Sequence, residues 1–442
     1  MRARLYPLPA SWQGWRRFAG PTYRPLHGIS SAHALLGLVG DAVFIPFLLA
    51  LGCHPAIVTI IAALPPLGMM AQRLLPRLLK ATNGNLRGLT LLAVAAGETR
   101  GFWLALVALF YTLGWLPAGV VIVVVALTVA VGQTLGLIAG ANLQAWYSII
   151  LPEAERRFAA PRAVAISMGL SAFILLPASL IVGLQWGTWP YVIIFSIGGL
   201  ASLLLLWSVR KLPNPGRVRI PQMPPAHQND PRLERFLRSS TIGSGGAGVM
   251  PYVSIYAIAV LGMPASFAIA LSALSGGVAL IASLLASDFL STGSASRLLR
   301  MSLILRGVAA LSFIVAFPGM PLAPFILVAA VALSAAGWSS GMLAANERLF
   351  RLAAGPSLIS HQGRYVLYNS AALSGGQIAG ASVLAIGGLG YPLFASLFAV
   401  SGLLRLWSAR ETQVSDAWTT STGEFVMSRQ ERAEYIDTAS SA

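Results

Sequence analysis

Apolar residues in this chain come in twelve separated runs. About 20 apolar residues carry a helix across the hydrocarbon core of a bilayer. That ruler places spans near 31–51, 56–76, 89–115, 118–146, 163–184, 189–209, 240–262, 265–287, 300–317, 322–346, 366–386 and 389–407. A closed barrel would need alternating strands, and these runs do not alternate, so helices are expected throughout. The run from Val120 to Ala130 fits only lipid or protein interior. Spans 3 and 4 are long enough to tilt or project. The expected fold class is an all-α integral membrane protein with 12 transmembrane helices. Composition agrees: 56% of residues are hydrophobic and 10% charged, against about 25% charged in a soluble domain. Such a chain is neither a cytosolic enzyme nor a disordered polymer, nor a nucleic-acid-binding domain despite its net charge of +16. One cysteine, Cys53, excludes an intrachain disulfide and a cysteine metal cluster. Residues 1–29 are basic and aromatic, without the apolar stretch of a cleavable signal.

The basic residues set the orientation. With the N-terminus inside and twelve alternating spans, 28 of the 30 Lys and Arg fall in cytoplasmic segments or at cytoplasmic helix ends. Arg100 and Arg306 fall within spans 3 and 9, and none falls in the six external loops. Trp115, Trp186 and Trp189 sit near the external boundary, as belt aromatics do. Both termini are then cytoplasmic, and the cell membrane, specifically a bacterial inner membrane, is the expected location. The basic surplus orients the chain and meets anionic headgroups. Membrane lipids are therefore expected partners and nucleic acid is not.

The chain repeats itself at an offset near 200 residues. Pro46-Phe47 matches Pro251-Tyr252, Arg100-Gly101 matches Arg306-Gly307, and Ala141-Asn142 matches Ala345-Asn346. Leu170-Ser171 matches Leu373-Ser374. Span 6 closes with Leu206-Trp207-Ser208-Val209-Arg210 and span 12 with Leu406-Trp407-Ser408-Ala409-Arg410, each with a tyrosine sixteen residues before the tryptophan. Six is even, so the halves share one orientation and form parallel repeats. The organisation reads as a cytoplasmic segment 1–29, an N-terminal bundle 30–209, a proline-rich linker 210–239, a C-terminal bundle 240–410 and an acidic cytoplasmic tail 411–442.

On these features the chain resembles the major facilitator superfamily (MFS) of secondary transporters over roughly residues 30–410. The 6+6 plan and the long middle loop carry most of the likeness. Gly68-Met69-Met70-Ala71-Gln72-Arg73-Leu74-Leu75-Pro76-Arg77 is similar to the family's G-x-L-A-D-R-x-G-R-K loop, departing at the aspartate (Gln72), the second glycine (Leu75) and the second arginine (Pro76). Pro152-Glu153-Ala154-Glu155-Arg156-Arg157-Phe158 is similar to its P-E-x-x-R-G-R loop. The resemblance implies a path between the halves lined by spans 1, 4, 7 and 10, with spans 3, 6, 9 and 12 more peripheral. It also implies halves rocking about a midplane site. Without the loop aspartate, Glu153 or Glu155 would have to partner Arg73 or Arg77.

An ionised group at the bilayer centre costs on the order of 3 kcal/mol on insertion scales. Asp41 lies halfway along span 1, ahead of a Pro46 that can open the helix. A desolvated carboxylate binds a proton more readily, so Asp41 could couple protons or meet a cationic substrate. It could also be ion-paired with Arg100 or sit at a wet interface. Glu98 and Arg100 are two apart on span 3, so on one continuous helix they face different sides and each needs its own partner. Arg306 repeats the place of Arg100, which favours an architectural role over two arginines gripping an anionic substrate. Gln133, Asn142, Tyr252, Tyr256, Trp338, Asn346, Asn369 and Gln377 are candidate cavity-lining residues, with interhelix packing as the competing reading. Glycines opening span 7 and in span 11 read as close packing or as hinges.

The five histidines are scattered, with no metal-ligand spacing, and no phosphate loop is present. No cofactor and no enzymatic chemistry are expected. The expected activity is secondary active transport of a small solute by alternating access, proton-coupled and leaning to export, by a monomer. The alternatives are metabolite uptake and a non-transporting membrane scaffold or sensor.

Overall fold

The computed structural model describes residues 23–150, 153–217, 231–248, 250–292, 294–352 and 357–421. The described residues are helical and loop, with no strand. Twelve segments are long and apolar enough to cross a membrane: Arg24–Ala50, Pro55–Leu74, Leu86–Thr112, Ala118–Leu143, Ala165–Gly183, Trp189–Arg210, Leu233–Ala259, Ala265–Ala286, Ala295–Val315, Ala323–Leu349, Gly363–Gly387 and Tyr391–Gln413. The count matches the sequence expectation. Span 7 starts earlier than its apolar run, because its helix begins at Pro231 and takes in residues 231–239 of the segment read as linker. The helix carrying span 12 runs on to Ser421. Residues 1–22, 218–230 and 422–442, which hold most of the expected N-terminal segment, the centre of the linker and the acidic tail, lie outside the described residues.

Three spans are broken, each for a local reason. Span 1 is a helix Arg24–Leu36, a 3-10 turn Gly37–Val39, and a second helix Asp41–Ala50 that starts from an extended Gly40. The break lies before Asp41 rather than at Pro46, which is carried inside the second helix. Span 7 is also in two helices, Pro231–Ala247 and Met250–Ala259, but its second helix starts one residue before Pro251, where that of span 1 starts five residues before Pro46. Span 3 breaks between Gly97 and Arg100. There the Thr99 hydroxyl donates to the Ala95 carbonyl at 2.8 Å, a back-bond that bends helices. Spans 1 and 7 also end alike. Gly52 (φ 76°) and Gly262 (φ 66°) take the left-handed conformation that a helix C-terminus needs.

The halves meet along two pairs of spans, 2 with 11 and 5 with 8. Ser374 Oγ on span 11 donates to the Ala63 carbonyl on span 2 at 3.4 Å. Gly276 on span 8 lies so close to span 5 that a Cβ there would stand 3.0 Å from the Met168 carbonyl. The second segment of span 1 also packs on the second segment of span 7 and on span 8. A single apolar core joins the halves there, with Phe44, Phe47, Leu48, Leu51 and Cys53 from one and Tyr252, Ile255, Tyr256 and Ile269 from the other. At the opposite end, where the described chain starts and stops, the cores separate. Tyr23 and Leu26 cluster with N-half residues alone, and Leu233, Phe236, Leu299, Leu349 and Ala409 with C-half residues alone. One apolar core thus joins the halves at the end bearing Cys53, while at the end bearing the termini the cores are separate and the halves touch through the turn Met70–Leu74 of span 2 and span 11.

Candidate functional site

Asp41 is the first residue of the second segment of span 1. It is exposed, whereas Val43 to Leu48 behind it are all buried. It therefore stands where the sealed seam ends and open space begins. A carboxylate is favoured at a helix N-terminus, where unpaired backbone N–H groups and the helix dipole present positive charge.

Behind Asp41 lies a charged cluster. Glu98 Oε2 accepts from Arg100 Nη1 at 2.8 Å, with both side chains 8% exposed. This corrects the expectation that the two need separate partners. The chain turns at Glu98 and Thr99 instead of continuing as helix, so residues two apart come to one side. Span 4 is shaped around the pair. A Cβ at Gly136 would stand 2.6 Å from Glu98 Oε1, and one at Gly132 would stand 2.9 Å from Arg100 Cβ. Asp41 lies within electrostatic reach of Arg100, and His33 on the first segment of span 1 within reach of both Glu98 and Arg100. His33 was not among the residues singled out from the sequence. Its offset of eight from Asp41 is the only hint, and the helix break between them erases even that periodicity.

The other candidates divide. Tyr252 and Tyr256 are fully buried, not facing open space. Their hydroxyls donate to backbone carbonyls, Tyr252 to Gln377 at 2.6 Å and Tyr256 to Ala316. Their rings pack against Phe394 and Phe398 of span 12. Trp338, by contrast, is exposed and stands apart from them on span 10. Asn346 is exposed and Gln133 half-buried. Asn142 is fully buried with neither amide atom partnered, and Gln377 is buried with a free Oε1. Asn369 accepts from Ser244 Oγ at 3.0 Å, tying span 11 to span 7. The glycines of those spans serve close approach: a Cβ at Gly248 would stand 2.8 Å from the Gln377 nitrogen, and one at Gly376 would stand 2.5 Å from the Gly245 carbonyl.

At the loop between spans 2 and 3, Gln72 Nε2 donates to the Leu137 carbonyl of span 4 at 3.2 Å, and Arg73 and Arg77 are exposed. The Glu153 and Glu155 side chains, expected to partner those arginines, lie outside the described ones. Arg306 is half-buried on span 9. Beside it lies Arg405 of span 12, which the charge count placed at a cytoplasmic helix end. Arg405 is instead 1% exposed within its span.

No protein-family model matches the chain, and no curated protein matches it at the sequence level. Its fold does match solved structures over nearly the whole length. A POT family transporter in complex with 5-aminolevulinic acid aligns with a TM-score of 0.66 at 12% identity, covering 90% of this chain and 96% of that one. The inward-open xylose transporter XylE from E. coli aligns at 0.65 and 12%, covering 87% and 94%. A bacterial homologue of the iron transporter ferroportin, in its inward-facing state, aligns at 0.64 and 14%, covering 88% and 96%.

Proposed function

We propose that this chain, which has the major facilitator superfamily fold, is a secondary active transporter that moves a small solute by alternating access. The observation that carries this reading is the seam between the halves. It is sealed by one shared apolar core at one end and divides into separate cores at the other, with an exposed carboxylate on a broken helix where the seal stops. Discontinuous spans at a repeat interface are where transporters of several folds hold substrate and coupling ions. Reversing which end is sealed would carry a solute from one side to the other.

In this reading Asp41 holds the proton that drives the cycle, and the ion pair of Glu98 and Arg100 lies behind it as fixed charge. The end with separate cores faces the cytoplasm, consistent with the basic loops at that end. The solute leans to a hydrophobic or cationic small molecule leaving the cell, because an exposed carboxylate, Asp41, stands where the seal stops.

Proteoliposomes of the full chain test the coupling. An imposed pH gradient should drive uptake of a lipophilic cation into inverted vesicles, and Asp41→Asn should reduce that gradient-driven flux at least tenfold while leaving solute exchange measurable. Equal gradient-driven flux in the Asn variant would end the role of Asp41. No flux of any tested solute in the native chain would end the export reading.

A further inference from the structure

The internal repeat provides its own control for the buried arginines. Arg100 and Arg306 occupy matching places, and the structure gives each a matching cradle. Gly132 of span 4 faces Arg100 and Gly337 of span 10 faces Arg306, where a Cβ would stand 2.9 and 2.7 Å from the side chain. Gly101 and Gly307 after the arginines pack likewise on spans 6 and 12. The counter-ion is not repeated. Two residues before Arg100 is Glu98, and two before Arg306 is Ile304 in an unbroken helix Ala295–Val315.

The C-terminal half instead adds a second cation. Arg405 replaces the residue that is Leu205 in the N-terminal half, also fully buried. Arg405 Nη1 donates to the Arg306 carbonyl at 2.9 Å. Its Nε and Nη2, and Arg306 Nε, are buried without any partner. Tyr365 lies within electrostatic reach of Arg306 and shares hydrogen bonds with Ser240 and Asn369. Among the described residues neither Arg306 nor Arg405 makes an ion pair with a carboxylate. An arginine stays ionised in proteins, and a buried charge without a partner costs several kcal/mol. Gly246 lets span 7 pack closely on the stem of Arg405, where a Cβ would stand 3.1 Å from Cγ.

We infer that Arg306 and Arg405 form a binding site for one compact anion inside the C-terminal bundle, distinct from the seam at Asp41. The ligand is a small dissolved inorganic anion such as chloride, or the carboxylate group of a small organic acid. Both present a concentrated negative charge to the free N–H groups of Arg405 Nε, Arg405 Nη2 and Arg306 Nε. The site does for the C-terminal half what Glu98 does for the other. Arg306 is half-buried, which gives the anion a way in.

The test uses the full chain in lipid nanodiscs, in isethionate buffer free of chloride and carboxylates, at constant ionic strength. Chloride or acetate is then titrated in. A ligand that binds only the folded state raises the unfolding temperature with its concentration. A saturable rise of about 3 °C or more is expected for at least one of the two anions. Radioactive chloride should bind at one equivalent if chloride is the effective one. Arg405→Leu, which installs the N-terminal half's residue, should abolish the rise, and Arg306→Gln should weaken it. A response to chloride alone assigns an inorganic ion, and a response to acetate alone assigns a carboxylate. The inference is overturned if the native chain melts identically in isethionate, chloride and acetate. It is overturned equally if both arginine variants keep the native response. Should Arg405→Leu fail to fold, the native titration and Arg306→Gln still decide.

Discussion

Removing the negative charge of Glu98 is the sharpest perturbation of the N-terminal half. Glu98 Oε2 is 2.8 Å from Arg100 Nη1, and among the described residues the other acceptor of that nitrogen is the Gly97 carbonyl at 3.5 Å. Arg100 Nε is already buried without a partner. Glu98→Gln would therefore leave a guanidinium with 8% side-chain exposure and no paired anion, with only the exposed Asp41 within electrostatic reach. Breaking a buried pair from one side costs about 3–5 kcal/mol, roughly a hundredfold to several thousandfold in the folding equilibrium. Removing both charges, with Glu98→Gln and Arg100→Met together, should cost far less than the sum of the singles, because an apolar replacement of a whole buried pair is often neutral. A double-mutant cycle on denaturant-induced unfolding in mixed micelles measures the coupling. Asp41 is exposed, so it stays hydrated in the double variant and does not inherit the penalty. A loss under about 1 kcal/mol for Glu98→Gln, or simple additivity of the two changes, would refute the reasoning.

The exposed pair of Glu234 and Arg364 is the contrast: Glu234→Gln should change stability by less than about 1 kcal/mol in the same assay. Gly101→Ala should destabilise strongly, because its Cβ would stand 2.4 Å from the Gly199 backbone nitrogen and spans 3 and 6 would have to part; a native melting curve would count against that packing. Cys53 is the sole cysteine, 5% exposed at the sealed end, and burial pushes its thiol pKa up. The thiolate is the reactive form, so alkylation by a water-soluble maleimide should be slow at pH 7. It should quicken as pH rises and whenever a solute opens that end; fast, solute-independent labelling would contradict the seal.

The apolar runs made the twelve spans legible, because length and hydropathy suffice for a helix in lipid. The two halves were legible because Trp207 and Trp407 keep register with their flanking residues. What escaped depends on breaks and depth. Glu98 and Arg100 pair only because Thr99 bends the chain, and no spacing rule anticipates that. Arg405 looked like a cytoplasmic end residue because it stands five residues before Arg410, yet the helix continues past it to Ser421. Tyr252 and Tyr256 share a face as their spacing says, but that face turns into the aromatic core. Periodicity tells which residues travel together, not which neighbour they meet.

The join between the halves around Phe44, Phe47, Leu48, Ile255 and Ile269 has a thermodynamic consequence. Prising it apart hydrates hydrocarbon, which raises the heat capacity of the open form. The grip of that contact fades on cooling. Low temperature should therefore shift the population toward molecules wetted at the Cys53 end, and a plot of the two populations against inverse temperature should bend rather than run straight.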